Sequence, residues 1–206
     1  MLNKEIEDRY QQWLSSPCFD ENTKAELAAL TDEKEIEDRF YCDLEFGTGG
    51  MRGMLGAGTN RMNVYLIRKL TYSFGQVICD HGPEAKKRGV AIAYDSRRFS
   101  EAFALETALV LTACGIRAYL FDSLRSTPEL SFAVRDKHAI AGVMITASHN
   151  PKEYNGYKVY WEDGAQLPPA EADKIMEKMA ECGWDIPIIT REEALESGLL
   201  EMLGQP

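Results

Sequence analysis

The sequence predicts a mixed α/β domain with a mainly parallel sheet sandwiched by helices. Residues 90–95 and 139–146 are short apolar segments with the length and the valine and isoleucine content of buried strands. Between them lie helical patterns over 100–114 and 126–137, separated by a third strand pattern over 117–121. This alternation is typical of parallel sheets whose strands are joined by right-handed crossover helices.

Helical patterns also flank this predicted core. Segments 3–14, 21–30 and 31–40 have helical spacing and helix-forming composition, and they predict an amphipathic helical extension packed on the domain. Further helices are predicted over 64–79 and 170–182. We assign no chemistry to these segments.

The composition excludes several classes of protein. The 206 residues suffice for one large domain or two small ones, and a hydrophobic fraction of 45% fits an ordinary globular core. A net charge of −10 argues against a nucleic-acid-binding face and against attraction to anionic membranes. Five cysteines without a C-x-x-C pair argue against a disulfide framework or a zinc site. With a charged start and no membrane-length apolar run, the sequence predicts a cytoplasmic protein.

The polar loop after the 139–146 strand is the first candidate site. Ligands of open α/β sheets bind outside the carboxyl ends of the strands, which is where residues 147–150 are expected. Pro151 and the Asn-Gly pair at 155–156 are turn signals, and 157–161 predicts a strand leaving the loop.

Ser148 is the candidate nucleophile of this loop, and two alternatives compete with that role. A serine beside His149 suggests a hydrolase, yet an adjacent histidine is poorly placed to act as its base, and no G-x-S-x-G motif surrounds the serine. Alternatively, Ser148 and Asn150 only cap a turn through bonds to nearby backbone.

The glycine-rich stretch E-F-G-T-G-G-M-R-G at 45–53 is the second candidate site. Its three glycines around Thr48 let the backbone approach a ligand, and Arg52 offers a planar donor pair for phosphate oxygens. It is not a nucleotide-binding P-loop, because the G-x-x-x-x-G-K-[ST] spacing is missing. A glycine-rich turn without a ligand is the alternative.

Taken together, these stretches carry a family resemblance. T-A-S-H-N-P at 146–151, followed by Y-N-G-Y-K at 154–158, resembles the phosphoserine loop of the α-D-phosphohexomutases, the family of phosphoglucomutase and phosphomannomutase. The 45–53 stretch is similar to the F-G-T-S-G-L-R-G of that family, and closest to the variant of its phosphoglucomutase and phosphopentomutase branch. D-S-R at 95–97 and S-T-P-E at 126–129 also match.

The resemblance implies roles for individual residues. In the family, the serine at the position of Ser148 carries the phosphoryl group that is transferred through a sugar bisphosphate, which implies catalytic roles for Ser148, Lys158, His149 and Arg52. Thr48, Arg52, Ser148 and Lys158 would contact the phosphosugar substrate, and all five are expected to converge on one anion-sized pocket. Lys158 would act in proton transfer or charge stabilisation. Mg²⁺ would be held by the Ser148 phosphate and by three aspartates of a second domain.

The resemblance also implies a domain organisation. Residues 1–42 would form the helical extension, 43–190 the α/β/α first domain of a phosphohexomutase, and 191–206 a helical linker toward an absent second domain. The motifs of the later domains, D-G-D-x-D-R, G-E-x-S-G and R-x-S-G-T, do not occur. We therefore expect the phosphoserine-bearing first domain of a longer sugar phosphomutase, inactive alone and completed by the missing C-terminal domains.

Three points stay open on the sequence alone. The sugar could be a glucose, mannose or pentose phosphate, because the residues that read its hydroxyls belong to the other domains. A non-catalytic phosphosugar-binding or anion-binding module of the same fold is one alternative function. A serine esterase is the other.

Overall fold

A computed structural model describes residues 2–47 and 49–204. Within that part of the chain, six strands form one sheet in the order β1-β5-β4-β2-β3-β6. Strands β4, β2, β3 and β6 run parallel, whereas β5 is antiparallel to both β4 and β1. The predicted fold class is therefore confirmed. The strands are β1 Gly50–Met54, β2 Val90–Tyr94, β3 Ala118–Phe121, β4 Ala141–Ile145, β5 Tyr154–Trp161 and β6 Leu200–Leu203.

Helices cover both faces of this sheet. The larger apolar core joins α4 and α6 to one face, and α8 packs against α4 and contributes to the same core. The opposite face is covered by α7, through a smaller core that includes Leu130 and Val134. The helices are α1 Lys4–Ser15, α2 Glu21–Ala28, α3 Glu33–Phe40, α4 Val64–Asp80, α5 Pro83–Arg88, α6 Ser100–Ala113, α7 Thr127–Asp136, α8 Pro169–Glu181 and α9 Arg191–Glu196. No helix in the described ranges is long and apolar enough to cross a bilayer.

Local sequence explains where the main elements begin and end. Every residue of β2 and β4 is buried, as expected for central parallel strands. The Asn63 side chain accepts a hydrogen bond from the Leu66 amide at 3.0 Å and so caps α4. Ser126 and Glu129 form a capping box at the start of α7.

The N-terminal helices have an apolar cluster of their own. Trp13 is fully buried at its centre, stacked on Phe19 with ring centroids 4.1 Å apart. Tyr65 of α4 contacts both rings edge-on, which ties the cluster to the α/β core. The domain boundaries drawn from the sequence, at residues 42 and 190, stay predictions.

The expected helical linker over 191–206 is corrected by the structure. The helix α9 ends at Glu196, and Leu200–Leu203 instead forms β6, which pairs in parallel with β3. Leu200 and Leu203 are the first and last residues of β6, and both are buried. The short apolar run around them has a composition that fits either a helix or a strand. These residues therefore extend the sheet. Gln205 and Pro206 lie outside the described residues.

A second correction concerns the Asn-Gly pair at 155–156. It lies inside β5, which begins at Tyr154 rather than at the predicted residue 157. The glycine-rich stretch at 45–53 contains both a turn, in which the Gly50 amide donates to the Gly47 carbonyl oxygen at 3.2 Å, and the strand β1, which pairs with β5 along its whole length. Glycine fits inside these strands at Gly50 and Gly156 because a Cβ at either position would lie 2.6 Å from an atom of the neighbouring strand.

Candidate phosphoryl-transfer site

Ser148 lies in the loop that leaves the carboxyl end of β4. Its backbone has a φ of 57°, in the left-handed region that few non-glycine residues adopt. The Ser148 amide donates to Oγ1 of Thr146 at 3.0 Å, which helps to hold this conformation. The residue is exposed, so the loop presents Ser148 to solvent at the edge of the sheet.

Arg97, which follows β2, anchors this loop. Its guanidinium donates hydrogen bonds of 2.7–3.0 Å to four loop carbonyl oxygens, those of Ser148, Asn150, Pro151 and Tyr154. Asp95 positions the arginine, because its carboxylate lies 3.4 Å from Arg97 Nε and accepts a bond from the Arg97 amide. The D-S-R stretch that matches the family therefore braces the loop around Ser148.

Arg52 and Lys158 lie on the two antiparallel strands beside the loop. Arg52 in β1 is opposite Gly156 in β5, and Lys158 is opposite Gly50. The two cations line a depression of about 250 Å³ together with Gly47, Gly50 and Gln166. A Cβ on Gly156 would stand 2.6 Å from Cγ of Arg52, so only glycine leaves room for the arginine stem.

The environment of Lys158 favours its neutral form. Burial is the larger cause, and the positive charge of Arg52 acts in the same direction, so the pKa of Lys158 is lowered from its ordinary value. A lowered lysine pKa is a shift in the direction that a proton-transfer role requires.

The predicted site residues occupy one edge of the sheet but not one pocket. Ser148 lines a separate depression of about 520 Å³. Asn150 connects the two depressions, because its Oδ1 lies 3.4 Å from Nη1 of Arg52 while its carbonyl oxygen accepts from Arg97. Nδ1 of His149 is 3.5 Å from Oγ of Ser148. Thr48, the remaining predicted residue, lies outside the described residues.

The sequence reasoning missed Asn155 as a site residue. The side chain of Asn155 is fully buried and donates to the Arg98 carbonyl at 2.9 Å and to Ser100 Oγ at 3.0 Å. It thus ties the loop after β2 to β5. The aromatic and β-branched residues of Y-N-G-Y-K-V-Y-W were the signal that this asparagine stands in a strand.

Comparison with known proteins now identifies the family. The model for the α/β/α domain I of phosphoglucomutase/phosphomannomutase matches residues 43–184. The chain belongs to this family.

Individual relatives agree with this assignment. A phosphoglucomutase of Staphylococcus epidermidis is 38% identical over 179 residues, covering 85% of this chain and 32% of the relative. A Schizosaccharomyces pombe protein named as a phosphoribomutase is 40% identical over 173 residues, covering 81% and 30%. A solved Thermus thermophilus structure, named as a phosphomannomutase, has a TM-score of 0.65 at 29% identity and covers 79% and 33%. The chain therefore spans about a third of the length of these relatives.

Proposed function

We propose that this chain supplies the phosphoserine of a sugar phosphomutase, most simply a phosphoglucomutase. The enzyme would interconvert sugar 1-phosphates and 6- or 5-phosphates through a bisphosphate intermediate. The observation that carries this proposal is the exposed Ser148 in its left-handed backbone conformation, held by Arg97 at the carboxyl end of β4. The names of the relatives, phosphoglucomutase and phosphoribomutase, agree with it.

The proposed transfer step exchanges one phosphorus–oxygen bond for another. A sugar hydroxyl oxygen bonds to phosphorus, the bond from phosphorus to Oγ of Ser148 breaks, and the proton lost by the hydroxyl is balanced by the proton that Oγ gains. The bisphosphate then returns its other phosphoryl group to Ser148 by the reverse sequence. Such reactions depend mainly on positioning and on stabilisation of negative charge.

The other site residues take supporting roles in this proposal. Arg52 binds phosphate oxygens through its planar guanidinium, and Thr48 is a further substrate contact that the family resemblance implies. Lys158, with its lowered pKa, moves a proton or stabilises charge at the reacting oxygens. His149 lies close enough to Ser148 to contribute to the same centre.

Magnesium, which the family resemblance implies, finds no ready site here. Among residues 2–47 and 49–204, no group of three or more histidine, cysteine, aspartate or glutamate side chains could hold a metal ion. A phosphate on Ser148 is the one metal ligand that we assign to this chain. We propose that the remaining ligands and the sugar-reading residues come from parts equivalent to the two thirds of the relatives that this chain does not match. A cytoplasmic location is part of the proposal.

Phosphate mapping tests this function. We expect incubation with glucose 1,6-bisphosphate to place phosphate on Ser148 at low occupancy, and mass spectrometry of peptides to locate it there. The Ser148→Ala protein is the control and should gain none. Phosphate on Ser96, Ser126 or Thr146 instead would refute the assignment. Anion binding without any transfer, even with the other domains present, would favour a non-catalytic module.

The same preparation tests the esterase alternative. The Ser148–His149 separation of 3.5 Å exceeds the reach typical of a serine and its base. We therefore expect no labelling of Ser148 by a fluorophosphonate, and labelling at that residue would favour the esterase.

A further inference from the structure

The depression that contains Ser148 is lined by more basic residues than the phosphohexomutase resemblance assigned to it. Its lining consists of Asp95, Ser96, Arg97, Arg98, Ser148 and Lys152, around a volume of about 520 Å³. Arg52 and Lys158 line the other depression. A group attached to Oγ of Ser148 would therefore enter a space whose cations are Arg97, Arg98 and Lys152.

Two of these three cations form no ion pair with any residue in the described part of the chain. Arg97 is occupied by the four loop carbonyls and by Asp95. The Arg98 guanidinium instead lies over the Phe99 ring, 5.4 Å from its centroid, and Lys152 is likewise without an anionic partner among the described residues. Both Arg98 and Lys152 are exposed.

Asp95 is the carboxylate among the described lining residues of this depression, and its negative charge is already balanced by hydrogen bonds and by Arg97. Asp95 accepts hydrogen bonds from the Arg97 amide at 3.0 Å and from Ser100 Oγ at 2.7 Å, and its other oxygen lies 3.4 Å from Arg97 Nε. The depression therefore presents about two uncompensated positive charges beside Ser148, on a chain whose net charge is −10. A phosphomonoester carries close to two negative charges at neutral pH, which matches them.

We propose that Arg98 and Lys152 bind the phosphoryl group on Ser148 and hold it in the depression between transfers. This role rests on the proposed phosphoserine and adds two positioning residues to it. Lys152 approaches from the carboxyl side of the serine loop, and Arg98 from the loop after β2, so the two cations would contact the phosphate from separate elements. Hydrogen bonds from both would be charge-assisted.

The test is a double-mutant cycle between the phosphate and each cation. Phosphoserine is introduced at position 148 during translation, so that the sample does not depend on transfer from a sugar bisphosphate, and EDTA removes divalent metal. Thermal unfolding compares the serine and phosphoserine forms of the unmodified chain, Arg98→Gln and Lys152→Gln. Lys87→Gln is the matched control, because Lys87 is exposed on α5, which precedes β2 and so lies at the opposite end of the sheet.

We expect the phosphoserine form to gain less in unfolding temperature over the serine form, or to lose more, in Arg98→Gln and Lys152→Gln than in the unmodified chain. The expected difference is about 2–4 °C for each cation removed, for a chain of this size. Lys87→Gln should show no difference, and Lys152→Arg should restore most of the effect.

The same cycle can overturn the proposal. If phosphorylation acts equally in Arg98→Gln, Lys152→Gln and the control, neither cation holds the phosphate. If the effect is lost instead in Arg52→Gln and Lys158→Gln, the phosphate lies in the other depression. A positive cycle together with no transfer from glucose 1,6-bisphosphate, even with the other domains present, would leave this inference standing while removing the proposed function.

Discussion

The Arg97 guanidinium donates a hydrogen bond to the carbonyl oxygen of Ser148 at 3.0 Å, while the Ser148 backbone holds a φ of 57°. The two residues follow different strands, β2 and β4, that are neighbours in the sheet. A residue in the left-handed region persists only when its surroundings compensate for the strain. The Arg97 contacts, made to backbone atoms, provide that compensation independently of the loop side chains.

Replacing Arg97 by lysine tests this relationship. Lysine keeps the charge but cannot make the planar set of bonds to four carbonyl oxygens, so we expect the free energy of unfolding to fall by about 2 kcal/mol. Urea denaturation measures the change. Arg98→Lys is the control, because Arg98 is exposed and its side chain contacts only the Phe99 ring among the interactions described. That variant should change stability by less than about 0.5 kcal/mol. Equal losses would contradict the bracing role.

Two substitutions at Ser148 should separate backbone strain from the hydroxyl. Ser148→Gly and Ser148→Ala both remove Oγ, but only glycine adopts a φ of 57° without a steric penalty. We expect the glycine variant to be more stable than the alanine variant by about 1 kcal/mol. Thermal or urea unfolding of the Ser148→Gly and Ser148→Ala proteins measures this difference in stability. A more stable alanine variant would mean that the loop is not held in this conformation.

The elements that were predictable from sequence are those with dense and periodic apolar patterns. The central strands β2 and β4 and the helices α4 and α6 were all predicted to within a few residues. The strands are buried along their whole length and the helices along one face, so the spacing of apolar residues in the sequence follows directly from the packing. The loop after β4 was predictable because the carboxyl end of a buried parallel strand is a recurrent ligand site.

What sequence alone could not show depends on contacts between distant segments. Asn155 and Gly156 have the composition of a turn, which outweighed the strand-forming residues that follow them, and their pairing with β1 places them in a strand. The separation of Ser148 from Arg52 and Lys158 into two depressions likewise depends on how the β1–β5 pair meets the serine loop. The family resemblance implied one shared pocket for these residues, whereas the structure places Arg52 and Lys158 in one depression and Ser148 in another.

Arg52→Gln should raise the pKa of Lys158. The neighbouring positive charge is the second cause of the lowered value, after burial, and its removal favours the protonated lysine. Direct titration of the lysine by NMR measures the shift, with Arg98→Gln as the control. An unchanged pKa in Arg52→Gln would show that burial alone lowers it.

The same shift predicts a pH dependence of stability. Because the folded-state pKa of Lys158 is lowered, the folded chain binds fewer protons there than the unfolded chain. The contribution of Lys158 to the free energy of unfolding is therefore most favourable above its unfolded-state pKa. It becomes less favourable as the pH falls from that value to the lower folded-state pKa. Glutamine does not titrate, so Lys158→Gln removes this contribution. The unfolding free energy of Lys158→Gln, compared with that of the unmodified chain, should therefore be most favourable at neutral pH and less favourable at alkaline pH. A difference that is constant with pH would contradict the lowered pKa.

Gly156→Ala tests why the Asn-Gly pair stands inside a strand. An added Cβ would lie 2.6 Å from Arg52 Cγ and 2.7–2.8 Å from the carbonyl oxygens of Met51 and Thr146. Two of these atoms belong to the backbone and cannot rotate away, so β5 must move away from Met51 in β1 and from Thr146 after β4, and Arg52 must shift as well. We expect a loss of about 2 kcal/mol in unfolding free energy.

The displacement of Arg52 should also appear in ligand binding. Sulfate titrated into the Gly156→Ala protein should perturb the amide signals around Gly50 and Lys158 less than in the unmodified chain, because the arginine that we propose binds the anion would have shifted. Gly183→Ala is the matched control, since nothing lies within 4 Å of a Cβ built at Gly183. That control should leave sulfate binding unchanged and stability unchanged or slightly raised, because alanine restricts the unfolded chain. If Gly156→Ala behaved as Gly183→Ala does, the close approach of β1 to β5 at Arg52 would not exist in solution, and the Arg52–Lys158 depression would lose its structural basis.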